Sequence, residues 1–90
     1  MIRLSTDDGL EIDYETSTKE VRELLDKLKY YSQLIGNEGE YLSQKITDDI
    51  ADEINSLIDE CKKLSARNTK HTPIGFNYSL YVGGNIIEWD

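Results

Sequence analysis

The 90-residue sequence contains one cysteine, one histidine and one proline. A single cysteine, Cys61, cannot form an internal disulfide and is typical of a reducing compartment, so we expect a cytoplasmic protein. One histidine, His71, and one cysteine cannot supply a structural zinc site. The sequence also lacks the glycine-rich phosphate-binding motifs of nucleotide enzymes. We therefore expect no enzymatic activity, no catalytic residues, no bound metal and no cofactor.

Basic residues are also scarce, with 10 Lys and Arg against 18 Asp and Glu and a net charge of −8. Without a basic run, the sequence lacks the electrostatic footprint of a protein that binds nucleic acid directly. The same acidity disfavours binding to an anionic membrane surface. No apolar run approaches the roughly 20 residues that span a bilayer. The length favours a single domain over residues 1–90.

The acidic residues are concentrated in the first two thirds of the chain. Residues 1–60 carry 6 basic and 16 acidic side chains, a net charge of −10, whereas residues 61–90 carry 4 basic and 2 acidic side chains, a net charge of +2. Any acidic binding surface is therefore expected to come from the first 60 residues.

Two segments near the N-terminus alternate apolar and polar residues, which predicts a β-hairpin. A three-residue loop sets Leu4 opposite Ile12, so that the apolar residues of both strands share one face. The same register sets Arg3 opposite Asp13. Gly9 then takes the left-handed position at the end of the loop.

Two amphipathic helices follow. Ser17 and Glu20 match a capping box at the start of the first helix, which residues 36–37, Gly-Asn, are expected to end. The second helix is predicted from about residue 40 to about residue 66, and the short connection makes the two an antiparallel hairpin. Its apolar stripe consists of Ile46, Ile50, Ile54, Leu57, Ile58, Cys61 and Leu64.

The C-terminal segment predicts a second β-hairpin. Its first strand has apolar residues at alternate positions, namely Phe76, Tyr78, Leu80 and Val82. A two-residue turn at Gly84 and Asn85 sets Val82 opposite Ile87 and Leu80 opposite Trp89. The complete order is β-β-α-α-β-β, and we expect an α+β fold in two layers: one antiparallel sheet of two hairpins, covered on one face by the helical hairpin.

The second helix carries a run of carboxylates on its polar face: Asp48, Asp49, Asp52 and Glu53. Two interpretations remain open. The face is a solvated surface that maintains solubility, or its carboxylates imitate the phosphates of a nucleic acid and bind a basic groove of a protein. A divalent-metal site is disfavoured, because a calcium loop needs acidic residues at alternate positions of a loop rather than on a helix.

Six residues are tyrosines, and Tyr30, Tyr41 and Tyr81 do not fit the apolar stripes. They are either the margin of a small core or exposed anchors for a partner, since tyrosine is enriched at interfaces. Tyr81 is expected on the sheet face away from the helices. Tyr41, just before the acidic run, is predicted to help bind a partner.

The favoured hypothesis is a small, acidic, non-enzymatic protein that inhibits a protein partner by occluding its basic surface. The partner would be a nucleic-acid-processing enzyme or a nuclease toxin. In size and charge the sequence resembles phage-encoded inhibitors of host defence, and also immunity proteins that neutralise basic nuclease toxins. Two alternatives remain: a homo-oligomeric structural module, such as a homodimer, and a protein that sequesters a small ligand.

Overall fold

The chain forms a four-stranded antiparallel sheet and a pair of packed helices. The computed structural model describes residues 2–38, 42–64 and 75–90. The elements are β1 (Ile2–Ser5), β2 (Glu11–Asp13), α1 (Lys19–Glu38), α2 (Gln44–Leu64), β3 (Tyr78–Val82) and β4 (Asn85–Trp89). This order and the contacts between the two helices confirm the predicted α+β fold.

The strands lie in the order β2-β1-β4-β3, so the first and last strands of the chain pair at the centre of the sheet. The first hairpin has the predicted register, with Leu4 opposite Ile12 and Arg3 opposite Asp13. Gly9 has a φ of 89°, the left-handed conformation that glycine adopts without steric cost.

The predicted register of the second hairpin is wrong. Val82 pairs with Asn85 and Leu80 with Ile87, so the turn consists of Gly83 and Gly84. Both glycines have positive φ, 55° and 83°, as a type I′ turn requires at its two central positions. The shift is two residues along β4, and side chains alternate with a period of two, so each residue keeps its predicted face.

The helix boundaries also differ from the prediction. Val21 N donates to Thr18 Oγ1, whereas the Ser17 hydroxyl donates to the carbonyl of Asp13, so Thr18 caps α1. α1 continues through Gly36 to Glu38. In α2, Ile46 N donates to Ser43 Oγ, and this cap starts the helix later than residue 40.

The core lies between the sheet and the helices. Its buried apolar residues come from every strand except the edge strand β3 and from both helices: Ile2, Leu4, Leu10, Ile12, Val21, Leu25, Leu28, Ile54, Leu57, Ile58, Cys61, Ile87 and Trp89. Neither described helix is both long enough and apolar enough to cross a membrane.

Four residues depart from their predicted core positions. Tyr78, in β3, is 50% exposed. Ile46 and Leu64, at the two ends of the α2 stripe, are 49% and 46% exposed. Phe76 precedes β3, so strand alternation does not extend to it. Its ring lies 5.0 Å from the Arg3 guanidinium, which extends from β1 on the sheet face opposite Leu4.

Candidate functional site

The exposed face of α2 is held in place by the burial of its other side. Ile54, Leu57, Ile58 and Cys61 are buried, and all four belong to the second half of the helix. Lys62 Nζ lies 3.1 Å from Asp7 Oδ1, which joins that half to the first hairpin loop. The first half of α2, before Ile54, has no fully buried residue and presents its polar side to solvent.

The four carboxylates predicted as a binding site, Asp48, Asp49, Asp52 and Glu53, are all exposed on this first half. They form one surface, which we call the acidic face. Gln44 Nε2 donates to Asp48 Oδ1 at 3.0 Å. Within residues 2–38, 42–64 and 75–90, no side-chain hydrogen bond or ion pair involves Asp49, Asp52 or Glu53. Their negative charges are therefore available to a basic partner.

Several acidic residues of the first hairpin, unlike those of the acidic face, have partners within the chain. Asp13 pairs with the Arg3 guanidinium at 2.9 Å, and Asp7 pairs with Lys62. The Thr6 hydroxyl donates to Asp8 and holds the pKa of that carboxyl below its ordinary value. The first hairpin thus uses several carboxylates in its own structure, whereas the acidic face leaves most of its own unpaired.

An apolar side chain that the sequence pattern assigned to the core borders the acidic face. Ile46 is 49% exposed. It precedes Asp49 by three residues and Glu53 by seven, a spacing that places all three on one side of a helix. The α2 periodicity could not reveal this exposure, because it marks an apolar stripe without showing where the sheet ends. A half-exposed isoleucine at the border of the carboxylates combines apolar area and charge, as protein interfaces do.

The three tyrosines that do not fit the apolar stripes differ in their location. Tyr41, predicted as an anchor, lies outside the described residues. Tyr30 is 53% exposed on α1 and its ring meets the Tyr31 ring edge-on, with centroids 5.4 Å apart. Tyr81 is 72% exposed beside Ile86 on the sheet face away from the helices, as predicted.

The buried thiol is not an activated nucleophile. Cys61 is fully buried. Burial, with a smaller contribution from the negative charge of Glu60, raises its pKa to about 11. The thiol is therefore protonated at neutral pH, and thiolate chemistry is suppressed. His71, its only conceivable histidine partner, lies outside the described residues. Nor does the described part of the chain contain a group of three acidic, His or Cys side chains arranged to hold a metal ion.

A cleft of about 540 Å³ lies between the first hairpin and α1, lined by Ile2, Tyr14, Glu15, Arg22, Asp26 and Lys29. Arg22 dominates its chemistry, but its guanidinium is already occupied. Nε donates to the Tyr14 carbonyl at 3.0 Å and Nη2 to the Glu15 carbonyl at 2.8 Å. These two hydrogen bonds connect the β2–α1 turn to α1. The arginine therefore has a structural role in the cleft, which is not a preformed anion site.

Comparison of the chain with protein families, curated proteins and solved structures finds no match. The function is therefore inferred from the surface of the chain itself.

Proposed function

We propose that the protein is a non-enzymatic inhibitor that occludes a basic surface of a protein partner with the acidic face of α2. The observation that carries the proposal is the set of exposed, unpaired carboxylates at Asp49, Asp52 and Glu53 beside the half-exposed Ile46. Charges of one sign steer an oppositely charged partner and raise the association rate. The isoleucine supplies apolar contact area. Removing its side chain should therefore shorten the lifetime of the complex.

The spacing of the carboxylates favours one kind of target. That target is a protein surface that normally binds nucleic acid. An α-helix rises about 1.5 Å per residue, so the charges at positions 49, 52 and 53 fall within about 6 Å along the helix axis, a mean density of negative charge similar to that of a nucleic-acid strand. A nucleic-acid-processing enzyme or a nuclease toxin offers such a basic groove. The cytoplasm is the compartment we propose, because the one thiol is buried and unpaired.

Solubility is the competing explanation for the acidic face, since exposed charges also keep small proteins dispersed. The two explanations differ in what they require of Ile46. Singly exposed apolar residues are common on protein surfaces, so replacing Ile46 should have no effect on a surface that only maintains solubility. A binding surface needs an apolar anchor of this kind.

The proposal is tested by capturing partners from the native host on immobilised protein and titrating the complex with salt. A complex held by the acidic face should weaken strongly between about 50 and 500 mM salt. Double-stranded DNA should displace the protein if the partner surface is a nucleic-acid groove. Affinity that stays constant with salt would contradict the electrostatic mechanism.

Charge reversal locates the surface. Asp49→Lys with Glu53→Lys should slow association at least about tenfold, because steering depends on the local sign of charge. The control is Glu15→Lys with Glu23→Lys, which changes the net charge equally at exposed positions outside α2. Ile46→Ala should instead accelerate dissociation. Equal effects of the two charge reversals would show that net charge, rather than the acidic face, governs binding.

Toxin neutralisation and inhibition of host defence share this surface chemistry, and gene context separates them. An adjacent gene for a basic toxin would indicate an immunity protein. A position among early phage genes would indicate an inhibitor of a host enzyme.

A further inference from the structure

The edge strand β3 lies in a part of the chain that has no charge. Residues 72–87 contain no Asp, Glu, Lys or Arg, although 31% of the whole chain is charged. β3 has the sequence Tyr-Ser-Leu-Tyr-Val, and within the described residues it pairs only with β4. Tyr78 and Tyr81 are 50% and 72% exposed, one on each face of the sheet. An uncharged, unpaired edge with exposed aromatic residues is a template for pairing with another strand.

The backbone groups that are open at this edge follow from the hairpin register. Val82 pairs with Asn85 across the two-residue turn, and this closing pair exchanges its backbone hydrogen bonds within the hairpin. Alternation then directs the N–H and C=O groups of Leu80 toward β4. Those of Ser79 and Tyr81 point away from the sheet, where a second strand could bind them.

The other edge of the sheet is protected. β2 has only three residues, and two of them, Glu11 and Asp13, are acidic. Short length and charge are the usual means by which proteins prevent pairing at an edge strand. A strand of three residues also offers few backbone groups to a second copy.

We propose that β3 pairs antiparallel with β3 of a second copy of this chain, forming one continuous sheet across a two-fold axis at Leu80. In this register the open backbone groups of Ser79 meet those of Tyr81 in the other copy, and vice versa. On the helix side, Leu80 meets Leu80 and Tyr78 meets Val82. An isologous interface must match itself, and this strand does so with only apolar and hydroxyl side chains.

The self-matching, uncharged strand selects a second copy as the occupant, because this edge lacks the charges that make two copies repel each other elsewhere. Each copy has a net charge of −8, so most approaches between two copies are repulsive. The β3 edge is where they can meet without opposing carboxylates. An interface of one strand per copy is small, so we expect a dissociation constant on the order of 10–100 μM. Salt should tighten the dimer by screening the remaining repulsion, the opposite of its effect on the proposed partner complex.

Sedimentation equilibrium of the full chain over about 5 μM to 1 mM, at low and high salt, tests the proposal. Ser79→Pro removes an N–H that points away from β4, so it should leave the hairpin intact and raise the dimer dissociation constant at least about tenfold. Tyr81→Lys places a charge on the exposed side of the edge and should act in the same direction. Circular dichroism and the fluorescence of Trp89 report whether each variant is folded.

Glu11→Pro is the matched control. In the first hairpin Tyr14 N donates to Ile2 O and Thr6 N donates to Leu10 O. Because hydrogen-bonded pairs alternate along an antiparallel ladder, the Glu11 N–H is directed away from β1. This variant should not weaken the dimer. A strictly monomeric chain at 1 mM would overturn the proposal, and so would a dimer that folded Ser79→Pro and Tyr81→Lys variants leave unchanged. A dimer weakened equally by Glu11→Pro would assign the interface to another surface. None of these outcomes depends on the inhibitor function.

Discussion

Arg3 and Asp13 form an ion pair across the first hairpin, with Arg3 Nε 2.9 Å from Asp13 Oδ1. Their side chains are only 7% and 18% exposed, although both lie on the sheet face away from the helices. The Phe76 ring stacks over the guanidinium and shields it from water. The outer face of the sheet is therefore organised around a buried charge.

Removing the acidic partner should be costly. Asp13→Ala removes the carboxylate that accepts from Arg3 Nε at a largely buried site, and we expect a loss of about 1–3 kcal/mol in the free energy of unfolding. Urea denaturation followed by Trp89 fluorescence measures it. Glu15→Ala, an exposed acidic residue two positions later, should change stability by less than about 0.5 kcal/mol. Similar losses in both variants would show that the ion pair is not the cause.

The contact between Gly36 and Trp89 predicts a stabilising substitution. A Cβ at Gly36 would lie 3.6 Å from the indole atoms Cζ2 and Cη2, an ordinary van der Waals distance. Gly36→Ala should therefore gain about 0.5–1 kcal/mol from helix propensity without a clash. Gly36→Leu should lose stability, because the longer side chain meets the indole. Thermal unfolding of both variants measures the difference, and a destabilising alanine would contradict the packing described for α1.

In the turn of the second hairpin, replacing a glycine by alanine should reduce the stability instead of raising it. Gly84 has a φ of 83°, and a Cβ there would lie 3.2 Å from Asp7 Cβ. Gly84→Ala should cost about 1–3 kcal/mol through backbone strain and crowding. At Gly75 an added Cβ meets nothing within 4 Å, so Gly75→Ala is the control and should be nearly neutral. Equal unfolding free energies for the two variants would place the turn elsewhere.

Alkaline pH should destabilise the fold through Cys61. Burial raises the thiol pKa to about 11 from an ordinary value of 9.0, so between these values the unfolded chain releases a proton that the folded chain retains. Stability is fully present below pH 9 and falls toward pH 11, by on the order of 2–3 kcal/mol. The Asp7 carboxylate also raises the pKa of Lys62, which acts in the same direction. Cys61→Ala should flatten the decline, and an unchanged pH profile in that variant would reject this origin.

Local patterns were sufficient for the element order and the first hairpin. Of a two-residue and a three-residue loop, only the three-residue loop places Leu4 and Ile12 on one face, so apolar alternation selected the correct pairing. The second hairpin was predicted incorrectly because two registers, one with Leu80 opposite Trp89 and one with Leu80 opposite Ile87, both pair apolar residues. The choice between them depended on Gly83 and Gly84, which together accept the positive φ values of a type I′ turn.

The candidate site was predicted in part. The exposure of Asp49, Asp52 and Glu53 followed from helix periodicity, because the side opposite a buried stripe faces solvent. The exposure of Ile46 did not, because periodicity gives the direction of a side chain but not the extent of the layer it packs against. Only the tertiary packing, which buries residues in the second half of α2, left this isoleucine exposed beside Asp49 and Glu53.

The sequence by itself determined the order of elements, the faces of the residues within the strands and the uneven distribution of charge, since these depend on periodicity and composition within a few residues. The tertiary structure decided which charges are neutralised and which edges stay open. Asp7 meets Lys62, 55 positions away in sequence, whereas among the described residues the carboxylates of α2 mostly meet no cation. Pairing of β1 with β4 leaves β3 at an edge. Both outcomes depend on long-range packing, which brings together residues that no local pattern relates.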